Sequence, residues 1–142
     1  MATLKQTLKQ LTTSKNYYFK QTGRDVYLYR QGKQFNICHA NDENTMKHYL
    51  RGMTLCKGLI KINADTIGEM ANAMGMVISL YTYGRGNIDK VLNDRYMQGY
   101  DLSEDVKRVL AEYIINAIES VKTATGEDGE GNTYNSCYLM QV

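Results

Sequence analysis

Four residues of the kind that bind metals or attack carbonyls fall within nineteen positions: Cys38, His39, His48 and Cys56. Thiolate and imidazole together make the ligand set of a structural zinc, and a Cys–His pair is the core of a thiol nucleophile. The spacing, C-H-x8-H-x7-C, holds neither the C-x2-C nor the H-x3-H pair by which a single turn offers two ligands to one ion. It also straddles a strand, a turn and a helix. We read these residues as buried thiols and partly exposed histidines, and assign no metal ligand and no catalytic residue. Asp128 and Glu130 stand in a Gly-rich stretch with too few oxygen ligands for a calcium loop. No G-x-S-x-G, H-E-x-x-H or paired-carboxylate pattern occurs, so the reading leans away from an enzyme and no cofactor is expected.

A second group could hold an anion. Gly84-Arg85-Gly86-Asn87 lies before a helical pattern. Glycines let a backbone approach a ligand closely, a helix N-terminus offers free N–H groups, and Arg85 could grip a phosphate or carboxylate bidentately. Asp89 stands where G-x-G-x-x-G would need its third glycine, and no Walker lysine follows. The motif is weak, and an ordinary strand-to-helix turn is the simpler account of it. A binder of a small phosphorylated ligand through Gly84, Arg85, Gly86 and Asn87 is therefore one alternative.

The third group is larger. The totals of 17 Lys+Arg and 15 Asp+Glu are nearly balanced, but residues 1–62 carry 11 and 3, and residues 63–142 carry 6 and 12. The halves are thus +8 and −6, an asymmetry that says more than the sum. In the basic half, cations alternate with rings: Lys20, Arg24, Arg30 and Lys33 with Tyr17, Tyr18, Phe19, Tyr27, Tyr29 and Phe35. Cations for phosphates and flat rings for bases are what nucleic-acid binding asks for. Tyr and Arg are also the residues enriched at the centres of protein interfaces. We take Arg24, Tyr27, Tyr29, Arg30 and Lys33 as the partner-binding set. A protein partner is expected ahead of a nucleic acid, because no RNP, KH or zinc-finger pattern is present and oppositely charged halves favour protein contact, including homo-oligomer formation. By association with other small, motif-free, Tyr- and Asn-rich chains, an inhibitor of a host protein carried by a phage or mobile element is the expected class.

These residues need a scaffold. Leu4, Leu8 and Leu11 predict a short amphipathic helix over 3–12. Runs of aromatic and β-branched residues punctuated by Thr22-Gly23-Arg24 and Gln31-Gly32-Lys33 predict a three-stranded antiparallel meander over 16–40. Asn41 or Asp42 caps a helix over 42–53, and 55–62 suits strand or helix equally. Asn63 or Asp65 caps a helix with Ile67, Met70, Ala71 and Met74 on one face, ending at Gly75. MVISLYTY, 76–83, is expected as a strand. A helix from Ile88 to about Gly99 follows. The capping box Asp101-Leu102-Ser103-Glu104 opens the strongest stripe of the chain, Val106, Val109, Leu110, Tyr113, Ile114, Ala117, Ile118 and Val121. Residues 125–133 read as a flexible acidic loop. Residues 134–142 read as a C-terminal strand that closes the sheet or pairs with a neighbouring chain.

The class is therefore α+β: a short helix and a three-stranded meander, then several helices, one further central strand and a C-terminal strand. We expect one domain over 1–142, with the basic meander at 15–40 and the scaffold at 41–124. With no proline, where about seven would be average, Gly and Asn must make the turns. Three cysteines at irregular spacing argue for reduced thiols, and no apolar stretch approaches the ~20 residues that span a bilayer. The polar start MATLKQTLKQL lacks a secretory signal, so a cytoplasmic protein without membrane association is expected.

One local resemblance stands in this sequence. Residues 62–80, INADTIGEMANAMGMVISL, resemble the tail of repressor- and antitoxin-type helix-turn-helix domains, where a helix of the form T-(I/L)-x-x-(M/I)-A-x-A-(L/M)-G precedes a short strand. The resemblance implies a helix ending at Gly75 and a strand after it. It covers fewer than twenty residues. Arg51-Gly52 and Lys57-Gly58 stand where the upstream turn would be, and no DNA-reading residue is carried over.

Overall fold

Thr3 opens the first helix through a reciprocal cap: its hydroxyl accepts from Gln6 N, and the Gln6 side chain accepts from Thr3 N. The computed structural model describes residues 3–83 and 87–125, with side chains described as far as Ser120. Helix α1 (Leu4–Leu11) leads into strands β1 (Tyr17–Thr22), β2 (Asp25–Arg30) and β3 (Cys38–Ala40). Helices α2 (Glu43–Leu55), α3 (Ala64–Thr82), α4 (Ile88–Leu92), α5 (Arg95–Gln98) and α6 (Glu104–Thr125) follow. The chain is α+β, as its patterning predicts. No described helix is long and apolar enough to cross a membrane.

The sheet is a meander, β1-β2-β3, antiparallel throughout. Gly23 and Arg24 form a two-residue hairpin loop between β1 and β2, and Gly23 sits at φ +64°. A first loop residue in the left-handed region is what matches the strand twist, and only glycine takes it without strain. The third strand begins later than expected. Ile37 N still donates to Leu28 O at 2.6 Å, but Phe35 belongs to the connecting loop and is 78% exposed.

Helices α2, α3 and α6 pack on one another, α1 lies on α2, and α4 lies on α6. Leu50, Met53, Met70, Met74, Leu110 and Ile114 fill the centre with almost no exposure. The sheet adds Val26 and Leu28, opposite Ala40 and Cys38, to the same core. Asp42 caps α2, its carboxylate accepting from Thr45 N at 2.8 Å, and Asn63 caps α3 in a reciprocal arrangement with Thr66.

Several expectations need correction. Residues 76–82 are the second half of α3, not a central strand. Ile67, Met70, Ala71, Met74, Val77 and Ile78 form one buried stripe at helical spacing, which runs through Gly75 without a break. Gly75 marks a close approach rather than a helix end: a Cβ there would lie 3.3 Å from Tyr49 Oη. The same finding removes the helix-then-strand order implied by the resemblance to helix-turn-helix tails. Residues 56–62 are neither strand nor helix but a tight turn through Gly58 (φ +95°), with a lone bridge between Lys57 and Ile60. The helix expected over 88–99 is two, because Asp94 turns its carboxylate onto Tyr96 N at 2.9 Å and starts α5 afresh. Ser103, not Asp101, opens α6: its Oγ accepts from Val106 N, while Asp101 N donates to Glu69. The expected loop at 125–133, past its first residue, and the strand at 134–142 lie outside the described residues.

Candidate interaction face

Register decides which rings of the meander share a surface. The hairpin pairs Thr22 with Asp25, so Lys20 faces Tyr27 and Tyr18 faces Tyr29; on the other side Tyr27 faces His39. Paired residues point to the same side of a sheet and neighbours along a strand to opposite sides. Val26 and Leu28 point to the core. Tyr18, Lys20, Asp25, Tyr27, Tyr29 and His39 therefore form the outer face.

The outer side chains are ordered by one another. Tyr18 stacks on Tyr29, with ring centroids 5.5 Å apart and planes 12° from parallel. Lys20 Nζ lies 5.1 Å from the Tyr29 centroid, a cation over the electron-rich face of the ring. The ring of Tyr27 lies 4.7 Å from that of His39, and His39 Nε2 is 3.1 Å from Asp25 Oδ1. The result is a band of four rings across three strands, packed in two pairs.

The five expected partner-binding residues do not form one patch. Tyr27 and Tyr29 lie in the ring band. Arg24 is exposed at the hairpin tip beside it. Arg30 and Lys33 lie elsewhere, on the wall of a hollow of about 570 Å³ whose opposite wall, the start of α3, carries Asp65 and Glu69. Cations and acids of the same chain thus line one hollow. Tyr18, Lys20 and His39 belong to the band but were not singled out. For Tyr18 and Lys20 the signal is the two-residue loop, since pairing Thr22 with Asp25 fixes the β1–β2 register; His39 is placed by the β2–β3 pairing, which that loop does not set.

The Cys–His group is dispersed. Cys38 and Cys56 are buried, and loss of water pushes their thiols up to about 12 and about 11. Thiols held protonated in this way are poor nucleophiles and poor metal ligands. His39 faces outward to Asp25, whereas His48 is buried on α2 with Nδ1 2.8 Å from Tyr113 Oη on α6. Burial pushes the Tyr113 hydroxyl up, against the lowering effect of Arg51. Among the described residues no three His, Cys, Asp or Glu side chains are grouped to hold a metal.

Of the anion-binding set, Gly84, Arg85 and Gly86 lie outside the described residues, as do Asp128 and Glu130. Asn87 caps α4, its Oδ1 accepting from Lys90 N at 2.9 Å. No protein-family model, no curated protein and no solved structure matches the chain.

Proposed function

We propose that the chain is a binding protein and that the outer face of its sheet engages a macromolecular partner, a protein rather than a nucleic acid. The observation that carries this reading is the ring band Tyr18–Tyr29 and Tyr27–His39 with Lys20 over it. Rings already held by neighbours lose little freedom on binding, which lowers the entropic cost that limits most interfaces. A base stacks on an open ring face, and rings packed on one another as Tyr18–Tyr29 and Tyr27–His39 are have less open face to give it. Clustered tyrosines are also the composition of an interface centre. The cations that would track a phosphate backbone are also divided, because Arg30 and Lys33 share their hollow with Asp65 and Glu69. The finer identity, a phage or mobile-element inhibitor of a host protein, remains a proposal from composition alone.

The test is photocrosslinking in cells of the source organism. A benzophenone amino acid replaces Tyr29, or Glu112 on the exposed side of α6 as control. The reading expects a discrete protein adduct from position 29, resistant to nuclease and lacking from position 112. An adduct that nuclease removes would transfer the face to nucleic acid. Equal adducts from both positions, or none, would overturn the reading.

A further inference from the structure

Strand β1 is an edge among the described residues, because the sheet order is β1-β2-β3. Its free side can be worked out. Gln31 N donates to Asn16 O at 2.6 Å, which places 16 and 31 in the hydrogen-bonded class of antiparallel pairs. That class alternates, so 18 with 29, 20 with 27 and 22 with 25 belong to it. The N–H and C=O groups of Tyr17, Phe19 and Gln21 therefore turn away from β2. Beside this edge, between β1 and α1, runs a groove of about 610 Å³. Leu8, Tyr17 and Phe19 give it apolar walls, and Lys5, Lys9 and Lys15 line it with positive charge. An open strand edge along a cationic, apolar groove fits an extended segment that is both acidic and apolar.

We propose that the occupant is the chain's own C-terminal segment, residues 126–142, laid along β1 as a fourth strand. Its composition is the complement of the groove: Glu127, Asp128 and Glu130 come first, then Tyr134, Tyr138, Leu139 and Met140, with no Lys or Arg at all. The geometry allows it. Helix α6 ends at Thr125. Asn116 and Ser120 near that end share a hollow with Leu55, and two residues beyond Leu55 the Lys57 ammonium donates to Gln10 O at the end of α1. The last turns of α6 and the groove are thus linked through the end of α2. Seventeen extended residues reach roughly 55 Å, more than the ~35–40 Å diameter of a globule of this length. The proposal is argued from the groove and the strand edge and not from the partner assigned to the outer face, although Tyr18 borders both.

The test is zero-length carbodiimide crosslinking on an equal mixture of ¹⁵N-labelled and unlabelled full-length chain, with amide exchange at the edge. Expected are crosslinks from Lys5, Lys9 or Lys15 to Glu127, Asp128 or Glu130, within single isotopic species. The Tyr17, Phe19 and Gln21 amides should exchange at least tenfold faster when Glu127, Asp128 and Glu130 are all amidated by mutation. Those substitutions fall outside the described fold, and a second variant, Lys9→Glu with Lys15→Glu at exposed positions, should release the same amides. Mixed-isotope crosslinks would assign the groove to the tail of a second copy and overturn the proposal. So would an absence of crosslinks, or edge amides that exchange at one rate in all three proteins.

Discussion

Cys38 lies on the inner side of β3, 4% exposed, with its thiol pushed from an ordinary 9.0 up to about 12 by burial. Two consequences follow at the residue scale. In the native chain iodoacetamide at pH 8 should leave the Cys38 and Cys56 peptides unmodified, and both should react in urea, as peptide mass spectrometry can read. The second is a pH dependence. The folded state holds the proton more tightly than the unfolded chain, so Cys38 takes nothing from stability below pH 9. Above it the unfolded thiol ionises first and stability falls until about pH 12, by up to ~4 kcal/mol for a shift of this size. Urea midpoints measured from pH 8 to 12 should drop steeply, and less steeply in Cys38→Ala. Gly52 is the other residue with a clear price. A Cβ there would lie 2.7 Å from Met74 Sδ, so that buried thioether must shift to admit it. Gly52→Ala should lower unfolding free energy by up to about 2 kcal/mol, an overpacking cost of ~1–3 kcal/mol less the ~1 kcal/mol that alanine gains over glycine inside a helix.

At the scale of elements, caps and stripes were the legible part. Asp42 and Asn63 stand at helix starts as their types predict, and the long stripe of α6 is buried at Val106, Leu110, Ile114 and Ile118. Asn63→Ala should cost about 1 kcal/mol in a denaturant titration, because it removes the side-chain acceptor of Thr66 N and leaves only the bond from the backbone N of residue 63 to Thr66 Oγ1. Asn63→Asp should keep most of the stability. What misled was locally ambiguous. MVISLYT is rich in strand-forming residues, and a short apolar run does not distinguish a buried strand from a buried helix. Its helical register shows only when the stripe is followed from Ile67 across Gly75. The break between α4 and α5 depends on one carboxylate choosing Tyr96 N, a competition that composition does not reveal. For the site, alternation along β2 was legible and placed Tyr27 and Tyr29 together. It could not place Arg30 and Lys33, whose surroundings are made by the start of α3, some thirty residues on.

For the whole molecule, the contrast of +8 and −6 between the chain's halves turns into spatial arrangements. In one place the two signs face a common hollow, lined by Arg30 and Lys33 and by Asp65 and Glu69. In another, Lys20 and the exposed Arg24 lie beside the tyrosine band. A partner on that band should bind through the rings and be steered by the cations. Raising salt should therefore slow association more than it speeds dissociation. The most direct measurement is the dissociation constant of the crosslinked partner, purified, for the wild-type chain and for Tyr29→Ala. Tyr29 stacks on Tyr18 at the centre of the band, so its loss should weaken binding at least thirtyfold, about 2 kcal/mol, with Glu112→Ala unchanged. Equal affinity of the wild type and a folded Tyr29→Ala chain would contradict the assignment of the sheet's outer face as the binding surface.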